Sequence, residues 1–209
     1  DIWGSPVHAD YHKIIFSKSN NNIVYIVSDG GVFKSEDGGY NWTNKNNGIS
    51  TIQFYCLASH PTDRNKLVGG AQDNGNFRTL NRGLTNWEYV TTGDGMNCFY
   101  DHTNPNTVYL STQYGSIYKS NNEGHPNSIQ VISPNYSTGE NPFWNAPYFM
   151  HPTDNNTIYV FSNRLWKSTN AGNDWNPISG GFSSSANTAH QNRLYPEVMI
   201  ACAGGNFQS

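Results

Sequence analysis

The chain has 209 residues and a formal net charge of −3, with 13% charged and 14% aromatic residues. This balance provides no basic surface for nucleic acid or for an anionic membrane, and no apolar run approaches the ~18 residues that a membrane-spanning helix needs. Abundant Asn, 20 glycines and 10 prolines predict many turns and short strands, because residues that favour helices are scarce.

The first part of the chain predicts four short strands, at about 11–16, 23–27, 31–34 and around Trp42. Tight turns rich in Asn, Asp and Gly separate these strands. Four-stranded units of ~40–50 residues are typical of propeller blades. The first unit is therefore predicted to be one blade.

The turn between its third and fourth strands carries the pattern S-x-D-x-G-x-x-W, within residues 33–42 (FKSEDGGYNW). The Asp37 carboxylate can accept hydrogen bonds from backbone N–H groups of its own turn, which Ser35 opens, and Gly39 can adopt positive φ. Trp42 then falls on the outgoing strand, where a large side chain can enter a core. The pattern therefore predicts a hairpin.

Further along the chain the same motif recurs in weaker form. The copies are at Thr79, Asn81 and Gly83, at Ser120, Asn122 and Gly124, and at Ser168, Asn170, Gly172 and Trp175. The Ser or Thr positions are 35, 79, 120, 168 and 209, so the steps are 44, 41, 48 and 41 residues. A period in the forties with strand-like content indicates a repeat array. A β-sandwich is the alternative, but it gives no reason for an in-phase turn motif.

We therefore predict an all-β fold, a single β-propeller region of four-stranded antiparallel blades over residues 1–209. The predicted blades are 8–50, 51–91, 92–140 and 141–182, with 183–209 a partial blade and 1–7 the outer strand of a preceding one. We expect an arc of a larger propeller, although a closed five-bladed ring also fits. In an arc, more of the same polypeptide or a partner chain would cover the open blade faces.

The three cysteines can be placed by the repeat. Cys56 and Cys98 fall where Ile14 lies in the first unit, so we expect both to be small buried hydrophobic residues. Cys202 falls in the second strand of the fifth unit. An odd count without paired spacing predicts neither a disulfide framework nor a metal site.

The motif S-x-D-x-G-x-x-W resembles the Asp-box (BNR) repeat of secreted propellers, which include sialidases, sortilin-type domains and xyloglucanase-like glycosidases. More closely, HADYH (8–12), SDGGVFKSEDGGYNW (28–42), GGAQDNGN (69–76) and GDG (93–95) resemble a group of secreted bacterial proteins, common among Bacteroidetes, that are described as BNR-repeat or glycosyl-hydrolase-like. The resemblance implies a propeller fold and an extracellular or cell-surface location. It says less about activity, because the Asp-box is a scaffold device and the later copies carry Asn in place of Asp.

Chemistry in a propeller would lie beside the first strand of each blade, which lines the central channel. Asp10 and Asp94 occupy the same repeat position at the entrance to such strands, and paired carboxylates can act as general acid and base on a glycosidic bond. Alternatively, both hold the channel loops by accepting backbone N–H bonds. Alternation of His8, Asp10 and His12 along a strand would point all three side chains one way and could hold a metal. With no second ligand cluster visible, we assign no metal and no cofactor.

Two further residues join His8 and His12 as candidate binding residues. Asp73 lies in an Asp-Asn-Gly turn, where a turn-forming role is favoured. Trp144 takes the repeat position of Asp10 in the fourth blade, where it could stack on a sugar ring or on a partner side chain. Packing between blades is the favoured alternative for this Trp, because Trp commonly fills cores.

We predict a secreted or cell-surface module that binds a polysaccharide or a partner protein, without nucleic acid and without a membrane span. The alternative is a glycoside hydrolase of the xyloglucanase-like type, with its acids near Asp10 and Asp94. Sialidase chemistry is disfavoured, because it needs an arginine cluster to clamp a carboxylate and none of the five arginines lies near the predicted strand entrances.

Overall fold

The computed structural model describes residues 7–49, 52–82, 86–137, 140, 142–181, 186–191 and 199–203. The chain divides into two compact units, Asp1–Ile52 and Gln53–Ser209, and each is considered by itself. Within the described ranges the only helical segment is a single 3-10 turn, Pro126–Ser128. No helix in this part of the chain is long and apolar enough to cross a membrane.

Residues 7–49 of the first unit form one antiparallel sheet of four strands in sequence order. The strands are β1 (Tyr11–Phe16), β2 (Val24–Ser28), β3 (Gly31–Ser35) and β4 (Thr43–Asn44). Their positions match the four predicted strands to within a few residues. Inside this unit Val7, Ile26 and Phe33 form a small buried cluster, and Trp42 packs against it.

The described residues of the second unit form three more four-stranded antiparallel sheets, again in sequence order, and one two-stranded sheet. Blade 2 consists of β5 (Phe54–Ser59), β6 (Leu67–Ala71), β7 (Gly75–Thr79) and β8 (Glu88–Thr91). Blade 3 consists of β9 (Gly95–Tyr100), β10 (Val108–Thr112), β11 (Ser116–Ser120) and β12 (Gln130–Val131). Blade 4 consists of β13 (Tyr148–His151), β14 (Asp154–Phe161), β15 (Leu165–Ser168) and β16 (Asn176–Pro177). The last pair is β17 (Ala186–Gln191) and β18 (Met199–Ala203). The predicted all-β class with four-stranded antiparallel sheets is confirmed.

The hydrophobic core of the second unit lies between consecutive sheets. One cluster joins blade 2 to blade 3 and contains Val68, Cys98, Tyr100, Val108 and Leu110. Another joins blade 3 to blade 4 and contains Tyr109, Ile117, Ile132, Tyr148, Ile158, Val160 and Trp166. Sheets that bury side chains against the next sheet in the chain are the packing expected of propeller blades.

In every described copy of the repeated motif, the Ser or Thr hydroxyl forms hydrogen bonds within its own turn. In the first copy, the Ser35 hydroxyl accepts from Gly39 N at 2.8 Å and donates to Asp37 at 2.8 Å. In the last, the Ser168 hydroxyl accepts from Gly172 N at 2.9 Å and donates to Asn170 at 3.0 Å. Because the acceptor in the side chain of the third residue is an oxygen in either case, Asn replaces Asp without loss of the turn.

The two intermediate copies follow the same plan. Ser120 accepts from the backbone N–H of Asn122 and of Gly124, each at 3.0 Å. Thr79 donates to Asn81 at 2.9 Å, and Gly83 lies outside the described residues. All four hydroxyl-bearing residues are buried. A local hydrogen-bond pattern thus fixes the hairpin that the sequence pattern predicted.

The tryptophans of the motif use their indole N–H differently. Trp42 donates to the carbonyl oxygen of Gly39 in its own turn at 2.9 Å. Trp175 donates to the carbonyl oxygen of Ile132 in blade 3 at 2.6 Å and packs against the cluster between blades 3 and 4. The second arrangement therefore contributes to the attachment of blade 4 to blade 3.

The basic residue that precedes the motif's Ser or Thr also links consecutive blades. Arg78 of blade 2 donates to the carbonyl oxygen of Glu123 at 3.2 Å, and Lys119 of blade 3 donates to that of Ala171 at 3.3 Å. Both acceptors lie three residues after the motif's Ser and have positive φ, 51° and 57°. The turn of one blade therefore receives a cationic donor from the blade before it.

Candidate functional site

Of the candidate residues in the first unit, His8 and Asp10 precede the first strand. Strand β1 begins at Tyr11 and Asp10 has a φ of 59°, so the predicted alternation of His8, Asp10 and His12 along one strand is wrong. Asp10 is exposed, and its carbonyl oxygen accepts from Asp29 N at 3.3 Å. Asp10 therefore contributes a main-chain hydrogen bond in the loop that leads into β1.

His12 on β1 forms an ion pair with Asp29, which directly follows β2. The two side chains are in hydrogen-bond contact through His12 Nε2 and Asp29 Oδ1. This bond, followed by the negative charge of Asp29, raises the pKa of His12 above its usual 6.5. Asp29, in the turn between β2 and β3, is thus the partner of a candidate binding residue.

In the second unit, Asp94 is buried and its carboxylate is used by a neighbouring loop. Asp94 is 7% exposed, and its Oδ1 accepts from the backbone N–H of Asp73 at 2.8 Å. Its own backbone N–H donates to Gln113 Oε1 at 2.9 Å. Asp94 therefore connects the loops that follow the second strands of blades 2 and 3. Since Asp10 belongs to the other unit, their action as a catalytic pair stays a prediction.

The corresponding contact between blades 3 and 4 uses main-chain atoms. Tyr114 has the place in blade 3 that Asp73 has in blade 2, and both have a φ of 58°. Tyr114 N donates to the carbonyl oxygen of Trp144 at 3.0 Å. Because Trp144 uses its backbone where Asp94 uses its carboxylate, the Trp144 side chain is not needed for this loop contact.

The side chains of Tyr114 and Trp144 form an exposed aromatic pair, which we call the aromatic platform. Their ring centroids are 5.1 Å apart and the planes meet at 85°. Tyr114 is 58% exposed and Trp144 is 37% exposed. In an edge-to-face pair one ring contacts the other through its edge, so the pair itself does not use the faces of that ring. The platform can therefore stack against a flat apolar surface, such as that of a sugar ring or a planar side chain.

Sequence reasoning identified Trp144 but missed Tyr114. A bulky residue with positive φ is uncommon, and such strained positions cluster at ligand-binding sites. The signal in the sequence was the segment QYG at 113–115, which matches the QDNG turn at 72–75 with an aromatic residue in place of Asp or Asn. Recognising it required knowing that the turn places this residue at positive φ.

Beside the same loops, Glu140 is a buried acid that the sequence did not single out. Its side chain is 4% exposed. Its oxygens accept from Trp166 Nε1 at 2.9 Å, from the Ser162 hydroxyl at 3.2 Å and from the Ser137 hydroxyl at 2.5 Å. Burial acts to raise the pKa of Glu140, but these hydrogen bonds and the nearby Arg164 outweigh it and lower the pKa. Glu140 is therefore a structural anion.

The sequence matches no family profile and no curated protein significantly. Its fold, however, is similar to that of several solved structures. An ancestral GH74 enzyme aligns with 82% of this chain and 24% of its own chain, at 21% identity and a TM-score of 0.52. The GH74 xyloglucanase from Xanthomonas campestris aligns with 94% of this chain and 36% of its own, at 11% identity and a TM-score of 0.54. A structure of YCF48 bound to D1 peptide aligns with 94% of this chain and 63% of its own, at 16% identity and a TM-score of 0.50.

This chain thus spans less than two thirds of each of these proteins. At such identities the likeness concerns the fold alone. Together with the four four-stranded sheets, it defines the chain as part of a blade-based β-propeller. Function must be argued from the site, because one fold supports many activities.

Proposed function

We propose that this chain is a binding module that engages a polysaccharide through the aromatic platform of Tyr114 and Trp144. The observation that carries the proposal is the exposure of two rings, 58% and 37%, held 5.1 Å apart on the loops of adjacent blades. Their loops are joined by a main-chain hydrogen bond, so the platform is preorganised and loses little conformational entropy on binding.

A partner protein is the second candidate ligand. Planar and aliphatic side chains of a peptide can pack on the same rings, and one structure of similar fold is that of YCF48 bound to D1 peptide. We further infer that the repeated hairpins are Asp-boxes, since three of the four described copies pair a buried hydroxyl with the side chain of an Asp or Asn. The resemblance of the sequence to secreted bacterial propellers supports an extracellular or cell-surface location.

Glycoside hydrolysis by Asp10 and Asp94 is the alternative, and the GH74 enzymes of similar fold favour it. The burial of Asp94 and the use of its Oδ1 by Asp73 N argue against it, because a general acid or base must come within hydrogen-bond reach of the proton that it transfers. His8, His12 and Asp73 remain candidates for auxiliary binding contacts, because of their positions in the sequence repeat.

Affinity electrophoresis and calorimetry on xyloglucan and a panel of plant and microbial glycans test the proposal. Trp144→Ala is expected to weaken binding at least about tenfold, which corresponds to ~1.4 kcal/mol, and Trp144→Phe is expected to retain most of it. Tyr40→Ala is the matched control, because Tyr40 is an 89% exposed aromatic residue in the first unit.

The same preparations separate the alternatives. The wild type is assayed for release of reducing sugar. If sugar is released, and the release is lost in both Asp10→Asn and Asp94→Asn, the hydrolase hypothesis replaces the binding-module hypothesis. Glycan binding that is unchanged in Trp144→Ala and Tyr114→Ala would reject the platform. Absence of glycan binding would leave the partner protein as the ligand class, to be tested with peptide arrays on the wild type and Trp144→Ala.

A further inference from the structure

The first strands of blades 2 and 3 bring two cysteines together. Cys56 lies on β5 and Cys98 on β9, at the same position of the repeat. Cys56 Sγ donates to the carbonyl oxygen of Cys98 at 3.4 Å. Both are free thiols. Cys98 is buried as expected, whereas Cys56 is only half-buried, and the contact between them was not predicted.

The close approach of blades 2 and 3 depends on glycines, which have no side chain. Cys56 faces Gly70 in the β5–β6 register. A Cβ placed on Gly70 would lie less than 3.0 Å from the Met96 carbonyl oxygen, which is a backbone atom of β9. Cys98 Sγ in turn donates to the carbonyl oxygen of Val68 on β6 at 3.5 Å. The backbones of the two blades are therefore in direct contact beside the thiols.

The two thiols differ in access and in acidity. Cys98 is 5% exposed, whereas Cys56 is half-buried and reachable from solvent. Hydrogen bonding with Cys98 lowers the pKa of Cys56. The neighbouring Cys56 thiol, followed by burial, raises the pKa of Cys98. Cys56 is therefore the thiol that ionises first and can react with a reagent in solution.

We propose that Cys56 and Cys98 are a redox-active pair that forms a disulfide between blades 2 and 3 when a small-molecule disulfide acts as the oxidant. The Cys56 thiolate attacks one sulfur of the oxidant, which leaves a mixed disulfide on Cys56 and releases one thiolate. Cys98 then loses its proton, and its sulfur attacks the Cys56 sulfur and expels the second thiolate. Two protein thiols are oxidised to one disulfide, and one disulfide is reduced to two thiols.

The disulfide would link β5 to β9, which are otherwise connected covalently only through the chain between residues 56 and 98. A cross-link of this span restricts the unfolded chain more than the folded one. Oxidation is therefore expected to raise the Tm of the second unit by roughly 5 °C or more. The half-buried Cys56 would also lose its reactivity toward alkylating reagents.

Trypsin provides a direct readout, because it places the three cysteines on separate peptides. Cleavage after Lys45, Arg64, Arg82, Lys119 and Arg193 releases Cys56 on 46–64, Cys98 on 83–119 and Cys202 on 194–209. The chain with Cys202→Ser is equilibrated with oxidised and reduced glutathione at several ratios. It is then quenched in acid, denatured, alkylated with N-ethylmaleimide and digested without reduction.

The expected product is peptide 46–64 linked to 83–119, with a mass two hydrogens below the sum of the two. Its fraction should rise with oxidised glutathione, stay independent of protein concentration, and accompany the rise in Tm. The double variant Cys56→Ser, Cys202→Ser is the control and should show no redox-dependent Tm. Full alkylation of both cysteines after oxidation, a persistent glutathione adduct on Cys56 with Cys98 free, or cross-linking only between chains would each overturn the proposal.

Discussion

Replacing Ser168 by Ala tests whether one buried hydroxyl holds the outer hairpin of blade 4. Ser168 is fully buried. Its hydroxyl accepts from Gly172 N at 2.9 Å and from Asn170 N at 3.3 Å, and it donates to Asn170 Oδ1 at 3.0 Å. Ala removes all three contacts and adds no group that could replace them.

The expected loss of stability follows from the groups left behind. Gly172 is buried, so its N–H would have no access to water. A buried donor without a partner costs about 1–3 kcal/mol, and we expect ~2 kcal/mol for Ser168→Ala. For a chain of this length that corresponds to a fall in Tm of roughly 4–8 °C. Ser168→Thr should lose less, because Thr79 serves the second copy of the motif with the same donor contact.

Urea unfolding followed by intrinsic fluorescence measures the change, since Trp166 and Trp175 lie in blade 4. Amide exchange at Gly172 N should accelerate in Ser168→Ala. Ser59→Ala is the matched control, because Ser59 is exposed on β5 and the same substitution there should change stability by no more than about 0.5 kcal/mol. Equal stability of Ser168→Ala and Ser59→Ala would refute the role of the hydroxyl in the turn.

The other predictions concern a close backbone approach and two titrating groups. Gly70→Ala should destabilise the second unit by about 3 kcal/mol, because the new Cβ would meet backbone atoms of β9. Gly180→Ala, where a Cβ meets nothing, is the control, and equal Tm values for the two would contradict the packing. Backbone N–H donation from Asn41, followed by its side chain and by the Ser35 hydroxyl, lowers the pKa of Asp37 to about 2. The resulting stability is present above pH 3.8 and lost as the pH falls toward 2, so Asp37→Asn should flatten acid unfolding of the first unit, and an unchanged acid limb would count against it. The pKa of His12, measured by NMR, should exceed 6.5 and fall toward it in Asp29→Asn. The stability from this pair is present below pH 6.5 and lost as the pH rises through the folded pKa, and a pKa that Asp29→Asn leaves unmoved would exclude the ion pair.

The repeating hairpins could be predicted from the sequence because their determinants are local. Ser, Asp or Asn, and Gly at fixed spacing place a hydroxyl, a side-chain oxygen and a backbone able to adopt positive φ within five residues of one another. The four copies with described turns all form hydroxyl bonds within the turn. Strand number and order followed for the same reason, since turns in sequence produce neighbouring antiparallel strands.

The candidate site was predicted only in part. Trp144 could be placed by repeat position, but nothing local distinguished Tyr114 from an ordinary loop residue. Asp94 looked equivalent to Asp10 by spacing, yet one is buried in a loop contact and the other is exposed with positive φ. Two residues at equivalent positions of a repeat adopt the same backbone conformation only where the loops around them are also the same.

The sequence alone therefore determined which residues pair along each blade, because hydrogen bonds within a hairpin depend on nearest neighbours in the chain. The tertiary structure alone decided which residues of different blades meet. The contact of Cys56 with Cys98 and that of Tyr114 with Trp144 depend on how closely two sheets approach. That distance is determined by the combined packing of both faces, including Gly70, and no single segment of the sequence specifies it.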